Sequence, residues 1–380
     1  MKAAIIGYGK IGKTIVYDLL KHNEFEKIYV IDQKHINIVD LDERIDPYQY
    51  DLNNEAHFKT LEYFLENKNI NVIISASDYS LNLKLTEMAI KIGAHFCDLG
   101  GNNDVVKSQK DLHDKAKEKG ITVVPACGLA PGLAEYVAAW AVEKFLREEQ
   151  VIEVDSVKIR VGGLPIYNLK PPLNYKLVFS SKGLINEYIE PCTIVRNNKI
   201  QTVEPLTDIE DLNFFWKLEA FNTSGGISGL ADSLKDIVKD LDYKTIRYPG
   251  HCNIFAGMKQ LGLLNDPISR DLIEKAVDKT LTNDDADCVL MRVMVSGLDK
   301  SGVKSTYIYD MADYSKENLI AKCVETAMAR TTAFPTSIVA HMLAHGECRP
   351  GVYSGENCLD LDKLIKELEK RELYIVENKI

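Results

Sequence analysis

The sequence predicts an α/β protein: a doubly wound parallel sheet at the N-terminus, followed by a second, mixed α/β domain. Three observations predict it. Over residues 1–127 short apolar runs alternate with amphipathic helical stretches, as expected when a parallel sheet is covered on both faces. A glycine-rich turn, GYGKIG at 7–12, follows the first of those runs directly. Near residue 151 the period changes, and 154–161 (VDSVKIRV) alternates apolar and polar, the pattern of a strand with one face in solvent.

In chain order, strands are expected at 2–6 (KAAII), 28–31 (IYVI), 71–76 (NVIISA), 95–99 (HFCDL) and 121–127 (ITVVPAC). Helical patterns fall between them, at 81–92 and 106–119. The strand runs are short, apolar throughout and bounded by turn residues, which suits strands buried on both sides. In the second domain 289–295 (VLMRVMV) and 305–309 (STYIY) flank GLDKSG and read as a hairpin. From 317 the pattern is helical again: ENLIAKCVETAMARTTAF, then PTSIVAHMLAHG, with Pro335 at a helix start and Gly346 at its end. Residues 360–372 read as a last charged helix.

A length of 380 residues suits two domains, and 46% hydrophobic with 27% charged residues is the balance of a globular protein. With 46 Lys+Arg against 56 Asp+Glu the formal charge is -10. That argues against nucleic acid or an anionic membrane as partner, since both demand a basic surface. No apolar run approaches the roughly 20 residues needed to span a bilayer, and MKAAIIGYGKIGKT reads as a strand entering a turn, not a leader. The eight cysteines are scattered without a C-x-x-C pair, so neither a disulfide framework nor a metal site is expected. A cytoplasmic enzyme with reduced thiols is the expectation.

Gly7-Tyr8-Gly9-Lys10-Ile11-Gly12 is G-x-G-x-x-G, placed after a strand and opening a helix, with Asp32 following 20 residues after Gly12. Each part has a mechanical reason. Gly7 makes the tight turn, Gly9 lets the backbone approach a pyrophosphate, and Gly12 lets the helix pack on the sheet. The helix N-terminus offers N–H groups to the phosphates. Asp32 can accept hydrogen bonds from ribose hydroxyls and would repel a 2′-phosphate, which favours NAD; the neighbouring Lys34 leaves NADP open. Asp51, in YQYDL, is expected to end the third strand near the adenine, and Ser75-Ala76-Ser77 follows the fourth strand where small residues let a dinucleotide pass. Each of these reads equally well as a plain loop residue.

Ligands of such sheets bind outside the carboxyl ends of the strands, where Asp98-Leu99-Gly100-Gly101 and Cys127-Gly128-Leu129-Ala130-Pro131-Gly132 also lie. Asp98 can contact a substrate ammonium, act as a base, or cap the following turn. Cys127 has no flanking base to activate it and reads as a small buried residue. His341 and His345 share a helix face at i, i+4, yet no third ligand accompanies them in the sequence, so they read as structural. In the second domain PPLNYKLVFSS (171–181), EAFNTSGG (219–226) and KTIRYPGHC (244–252) are dense in hydrogen-bonding groups. Arg247 is a natural clamp for a carboxylate, because its guanidinium binds one bidentately; the alternative is a surface salt bridge. His251 is either a general acid or base, or a hydrogen-bonded turn residue.

On these stretches the chain resembles the saccharopine dehydrogenase family, closest to its lysine 6-dehydrogenases. The matching residues are GYGKIG (7–12), DLGG (98–101), GLAPG (128–132), VGGLP (161–165), PPLNYKLVFSSKGLINEY (171–188), LEAFNTSGG (218–226), LDYKTIRYPGH (241–251) and AMARTTAFP (327–335). The resemblance implies a Rossmann domain over 1–127, a substrate-binding and dimerisation domain over 128–324, and C-terminal helices within 325–380 that pack back on the first. It implies a homodimer and hydride transfer at a carbon–nitrogen bond of a lysine-derived amino acid, with NAD, or less favoured NADP, as cofactor. The substrate carboxylate would be held by Arg247 with Tyr175, Lys176, Thr223 and Ser224. An ammonium has no lone pair with which to expel a hydride, so the amine must be neutral and a base is needed; Asp98, His251 and Lys176 are the candidates.

Free lysine and saccharopine both give allysine, and a carboxynorspermidine-type polyamine is the other enzymatic alternative. Saccharopine brings three carboxylates, and the second domain offers Arg160, Lys170, Lys176, Lys182, Lys244 and Arg247 to meet them. A non-catalytic NAD-binding sensor is the alternative of another class.

Overall fold

The computed structural model describes residues 1–380 except 23, 37–41, 168, 228, 283–285 and 319–322. It forms two compact units. The first comprises Met1–Leu133, Asn318–Glu325 and Ala329–Arg371, the second Ala134–Glu317, Thr326–Met328 and Glu372–Ile380.

The first unit opens with β1 (Lys2–Ile6), α1 (Lys10–Leu20), β2 (Lys27–Asp32), β3 (Ile45–Gln49), β4 (Val72–Ser75), β5 (His95–Asp98) and β6 (Thr122–Val124). Ala3, Ala4 and Ile5 of β1, and Val72, Ile73 and Ile74 of β4, are all fully buried. Helices cover both faces of the sheet, so the strands carry no polar alternation. Among the described residues the sheet order is β6-β5-β4-β1-β2-β3, every pair parallel, with Gly351–Val352 added beside β6. The winding reverses between β1 and β4, which opens a crevice at their carboxyl ends. The helical stretch expected at 106–119 is two helices, Asn103–Lys110 and His113–Lys119. The break lets Leu112 pack into the same core cluster as Ala116.

The second unit holds β7 (Val154–Pro165), α2 (Ser181–Ile189), β8 (Lys217–Asn222), β9 (Val238–Arg247), α3 (His251–Gln260), β10 (Asp287–Leu298) and β11 (Lys304–Tyr314). Its sheet runs β8-β9-β7-β10-β11; β9 and β7 are parallel and the other neighbours antiparallel. β10 and β11 form the hairpin read from the sequence, and Asp299 in its turn accepts the amides of Ser301 and Val303.

The C-terminal segment departs from expectation. Lys316–Asn318 and Cys323–Glu325 are short paired strands, and the helix α4 spans Ala327–Ala344 with Pro335 inside it. Residues 319–322 of the expected helix lie outside the described ones. The helix starts at 327 because the Asp287 carboxylate, distant in sequence, accepts the amides of Ala327 (2.6 Å) and Met328 (3.1 Å). The last helix is Leu361–Lys370, and Val376–Lys379 then pairs with β11. Residues 372–380 therefore go with the second unit and do not return to the first. No helix among the described residues is long and apolar enough to cross a membrane.

Candidate functional site

In the first unit the switch point is built around glycine. Gly7 has φ +98°, and a Cβ there would lie 2.6 Å from the Ala76 carbonyl oxygen. A Cβ on Gly12 would lie 2.0 Å from the Gly7 oxygen, whereas one on Gly9 would meet nothing within 4 Å. Two glycines are thus demanded by packing, and the third keeps the backbone approachable from outside. Gly9 is the N-cap of α1, and no side chain caps the helix or supplies an acid to its first turn. The amides of Lys10, Ile11 and Gly12 therefore face outward as an anion cradle.

Asp32, at the end of β2, accepts the Tyr8 amide through Oδ2 (2.7 Å) and the Lys34 amide through Oδ1 (2.8 Å). A carboxylate offers about four lone-pair positions, so capacity for ribose hydroxyls is left. This cradle fits a dinucleotide. Ser75 is buried; its hydroxyl donates to Asn82 Oδ1 (2.8 Å) and lies 3.0 Å from that of Ser77. Together with the Ala76 amide, which donates to the Ile6 carbonyl at 2.8 Å, these residues brace the wall against which Gly7 packs. Asp51 lies two residues beyond β3, not in it, and closes a local turn by accepting the Asn53 amide at 3.0 Å.

Asp98 is fully buried. Its Oδ1 accepts the amides of Gly100 (2.7 Å) and Ala126 (3.0 Å), and its Oδ2 accepts Gln109 Nε2 (2.7 Å). Burial raises its proton affinity above the usual carboxylate range, against the pull of those three donors. The geometry is that of a tie between the ends of β5 and β6. It holds Ala126 at φ 61°, a conformation rare for a residue with a side chain.

In the second unit a different cluster assembles where β9 ends and α3 begins. Arg247 is the last residue of β9, and its side chain is 2% exposed. Its Nε donates to the Tyr188 hydroxyl (3.3 Å) and its Nη1 to the Ile246 carbonyl (2.9 Å). Its guanidinium carbon sits 5.2 Å from the Tyr175 ring centre. The Tyr188 hydroxyl also lies 2.8 Å from His251 Nε2, and the rings of Tyr175 and Phe255 pack on the imidazole. Burial, then the Arg247 charge, holds His251 well below its ordinary pKa, so it is neutral. Burial pushes the Tyr175 hydroxyl up to about 12.

Thr223 is buried beside this cluster, its hydroxyl 2.6 Å from that of Thr245; Ser224 donates its amide to the Glu187 carbonyl (3.0 Å) and its hydroxyl to that of Asn186 (3.3 Å). Lys176 is half-buried next to Tyr175.

Sequence reasoning missed Glu187. On α2, its Oε2 lies 3.7 Å from Arg247 Nη2. About a quarter of the side chain, 24%, is accessible, but Oε2 itself is sealed and has no hydrogen-bond partner. Burial pushes this carboxyl up to about 7, with Arg247 drawing it back. The available signal was a lone carboxylate among Leu184, Ile185 and Tyr188, all fully buried.

Lys244 does not join Arg247. Three residues apart on a strand, they point to opposite faces. Lys244 Nζ pairs with Asp208 and Glu210, both at 2.9 Å, and the buried Arg160 pairs with Glu210 and Asp242. These groups line a depression of about 350 Å³ in which cations and carboxylates occur in equal number.

The comparisons with known proteins agree with both halves. Residues 3–124 match the model of the saccharopine dehydrogenase NADP binding domain, and residues 128–373 that of the saccharopine dehydrogenase C-terminal domain. Over 171 residues the chain is 26% identical to the bovine mitochondrial alpha-aminoadipic semialdehyde synthase, covering 42% of this chain and 18% of that protein. The mouse protein of that name is likewise 26% identical, over 168 residues, with the same coverage. This chain thus spans less than a fifth of those relatives' length.

Two solved structures share the fold over the whole chain. Apo saccharopine dehydrogenase (L-Glu forming) from Saccharomyces cerevisiae has a TM-score of 0.77 at 17% identity, covering 100% of this chain and 99% of that one. The homospermidine synthase from Legionella pneumophila in complex with NAD has a TM-score of 0.73 at 12% identity, covering 100% and 91%. With both family models accounting for nearly every residue from the glycine turn to the last helix, the chain belongs to the saccharopine dehydrogenase family of NAD(P)-binding oxidoreductases.

Proposed function

We propose that the protein oxidises the carbon–nitrogen bond of a lysine-derived amino acid with NAD, forming allysine, and that free lysine is its preferred substrate. One observation carries the reading: a buried guanidinium fork with a carboxylate 3.7 Å from it, Arg247 and Glu187. Side by side they are the complement of an α-carboxylate and an α-ammonium. Of the five cations besides Arg247 named for saccharopine's extra carboxylates, Arg160 and Lys244 are already neutralised, which supports lysine. Asp32 supports NAD through repulsion of a 2′-phosphate. The nicotinamide, when bound, supplies the hydride acceptor; the chain's own residues bind and orient. Asp98 and His251 are best read as positioning groups, the first tying two loops and the second fixing the Tyr188 hydroxyl against Arg247. Lys176 keeps the place of candidate base.

NADH formation by the purified protein is expected with lysine at alkaline pH, releasing ammonia, and to be slower with NADP. The ε-amine reacts neutral, and its ordinary pKa is about 10.4, so the rate should climb about tenfold per pH unit below that value. Turnover of saccharopine alone, releasing glutamate, would move the assignment to that substrate. A protein that binds NADH yet turns over neither compound would overturn the proposal.

Glu187 adds its own signature. Because burial places its carboxyl at about 7, raising the pH through that value ionises it and KM for the amino acid should fall. In Glu187→Gln that fall should vanish while the alkaline rise in kcat remains. Persistence of the KM fall in the variant would remove Glu187 from the ammonium subsite.

A further inference from the structure

His341 and His345 stand one turn apart on one face of α4, and the fold brings them the third ligand that the sequence lacked. It is Glu24, from the loop after α1. Both Nε2 atoms converge on a single carboxylate oxygen: His341 touches Glu24 Oε2, and His345 lies 3.2 Å from it. All three ligand atoms fall within 4.8 Å of one another, in the first unit.

The orientation of the His345 ring is the second observation. His345 Nδ1 lies 2.9 Å from the His341 carbonyl oxygen. A carbonyl can only accept, so Nδ1 carries the ring proton, and a neutral His345 presents a lone pair at Nε2. His341 Nε2 is shut off from water and faces the Glu24 carboxylate. The two rings are only 4.4 Å apart between centres. His22 adds a third ring 5.3 Å from His341, and its own Nε2 lies 2.9 Å from the Arg371 guanidinium. Two imidazole nitrogens and a carboxylate oxygen thus face one point.

We propose that Glu24, His341 and His345 form a site for a divalent transition-metal ion of the zinc class. Two imidazoles with a carboxylate are a zinc ligand set, with a fourth position left for water. Zinc bonds of about 2.1 Å in a tetrahedron hold ligand atoms roughly 3.4 Å apart; Glu24 and His345 already stand at 3.2 Å, and His341 and Glu24, now touching, would move apart to admit the ion. The hydrogen bond from His345 Nδ1 to a backbone carbonyl is the outer contact that fixes a ligating tautomer. The ion would clip the loop after α1 to the last turn of α4 and stabilise the first unit by mass action. This assignment is independent of the redox site.

Zinc titration of the dialysed, metal-free full-length protein tests it by calorimetry, with thermal unfolding in parallel. One zinc ion per chain and a zinc-dependent rise in Tm are expected, with magnesium failing to compete. His345→Ala and Glu24→Gln replace exposed groups and should each weaken zinc binding at least about tenfold, while NADH affinity, the check on folding, stays unchanged. The absence of saturable zinc binding, or undiminished affinity in both variants, would overturn the proposal.

Discussion

Replacing Arg247 by methionine is expected to cut kcat/KM for lysine by roughly 30- to 5,000-fold, the about 2–5 kcal/mol lost when one partner of a buried charge pair is removed. The effect is large because Arg247 is enclosed by Tyr188, Tyr175 and Glu187 and no water can replace it. Lysine at this position would keep the charge but lose the planar fork, so Arg247→Lys should recover only part of the loss. A structural role alone would also lower activity, and 1,5-diaminopentane separates the two. That diamine is lysine without its carboxylate. If Arg247 clamps the carboxylate, the wild type strongly prefers lysine, and the methionine variant handles both amines about equally. An equal fractional loss on both substrates would leave Arg247 as a packing residue. Because Arg247 belongs to the second unit and the glycine turn to the first, an unchanged Tm, with retained NADH affinity beside it, reports that both still fold.

Substitution of Gly12 by alanine is expected to weaken NADH binding about 30- to 140-fold. The added methyl would stand 2.0 Å from the Gly7 carbonyl oxygen and 3.0 Å from its carbon. Backbone cannot rotate away as a side chain does, so the turn itself must open. Overpacking of that kind costs about 2–3 kcal/mol, and a lowered Tm should accompany the affinity loss. Gly9→Ala makes the contrast. Nothing lies within 4 Å of its Cβ, and its φ of -73° suits any residue, so Tm should hold while NADH binding falls, because only the approaching pyrophosphate meets the methyl. Fluorescence titration with NADH beside thermal unfolding reads both quantities. Equal affinity for NADH in wild type and Gly9→Ala would mean that the phosphates do not approach this turn.

The first unit was legible because its signals are local. A strand buried on both faces must be apolar throughout, a turn at φ +98° must be glycine, and an acid ending β2 must follow at a set distance. The hairpin of β10 and β11 declared itself in the same way through alternation and a turn. The start of α4 did not: its cap is the Asp287 carboxylate, 40 residues earlier in the chain, so the amphipathic pattern alone suggested a helix beginning too soon.

The same division runs through the sites. Sequence by itself determined the glycine turn with its acid and marked Arg247 as a candidate carboxylate ligand, since a conformational demand or a side-chain chemistry identifies each of them singly. Only the tertiary structure decided which groups act together. It turned Lys244 to the opposite face of β9 from Arg247, enclosed Asp98 among three donors, set Glu187 beside Arg247, and brought Glu24 to His341 and His345. Charge pairing, burial and ligation depend on distances of a few ångströms between residues far apart in the chain, and packing alone sets those distances.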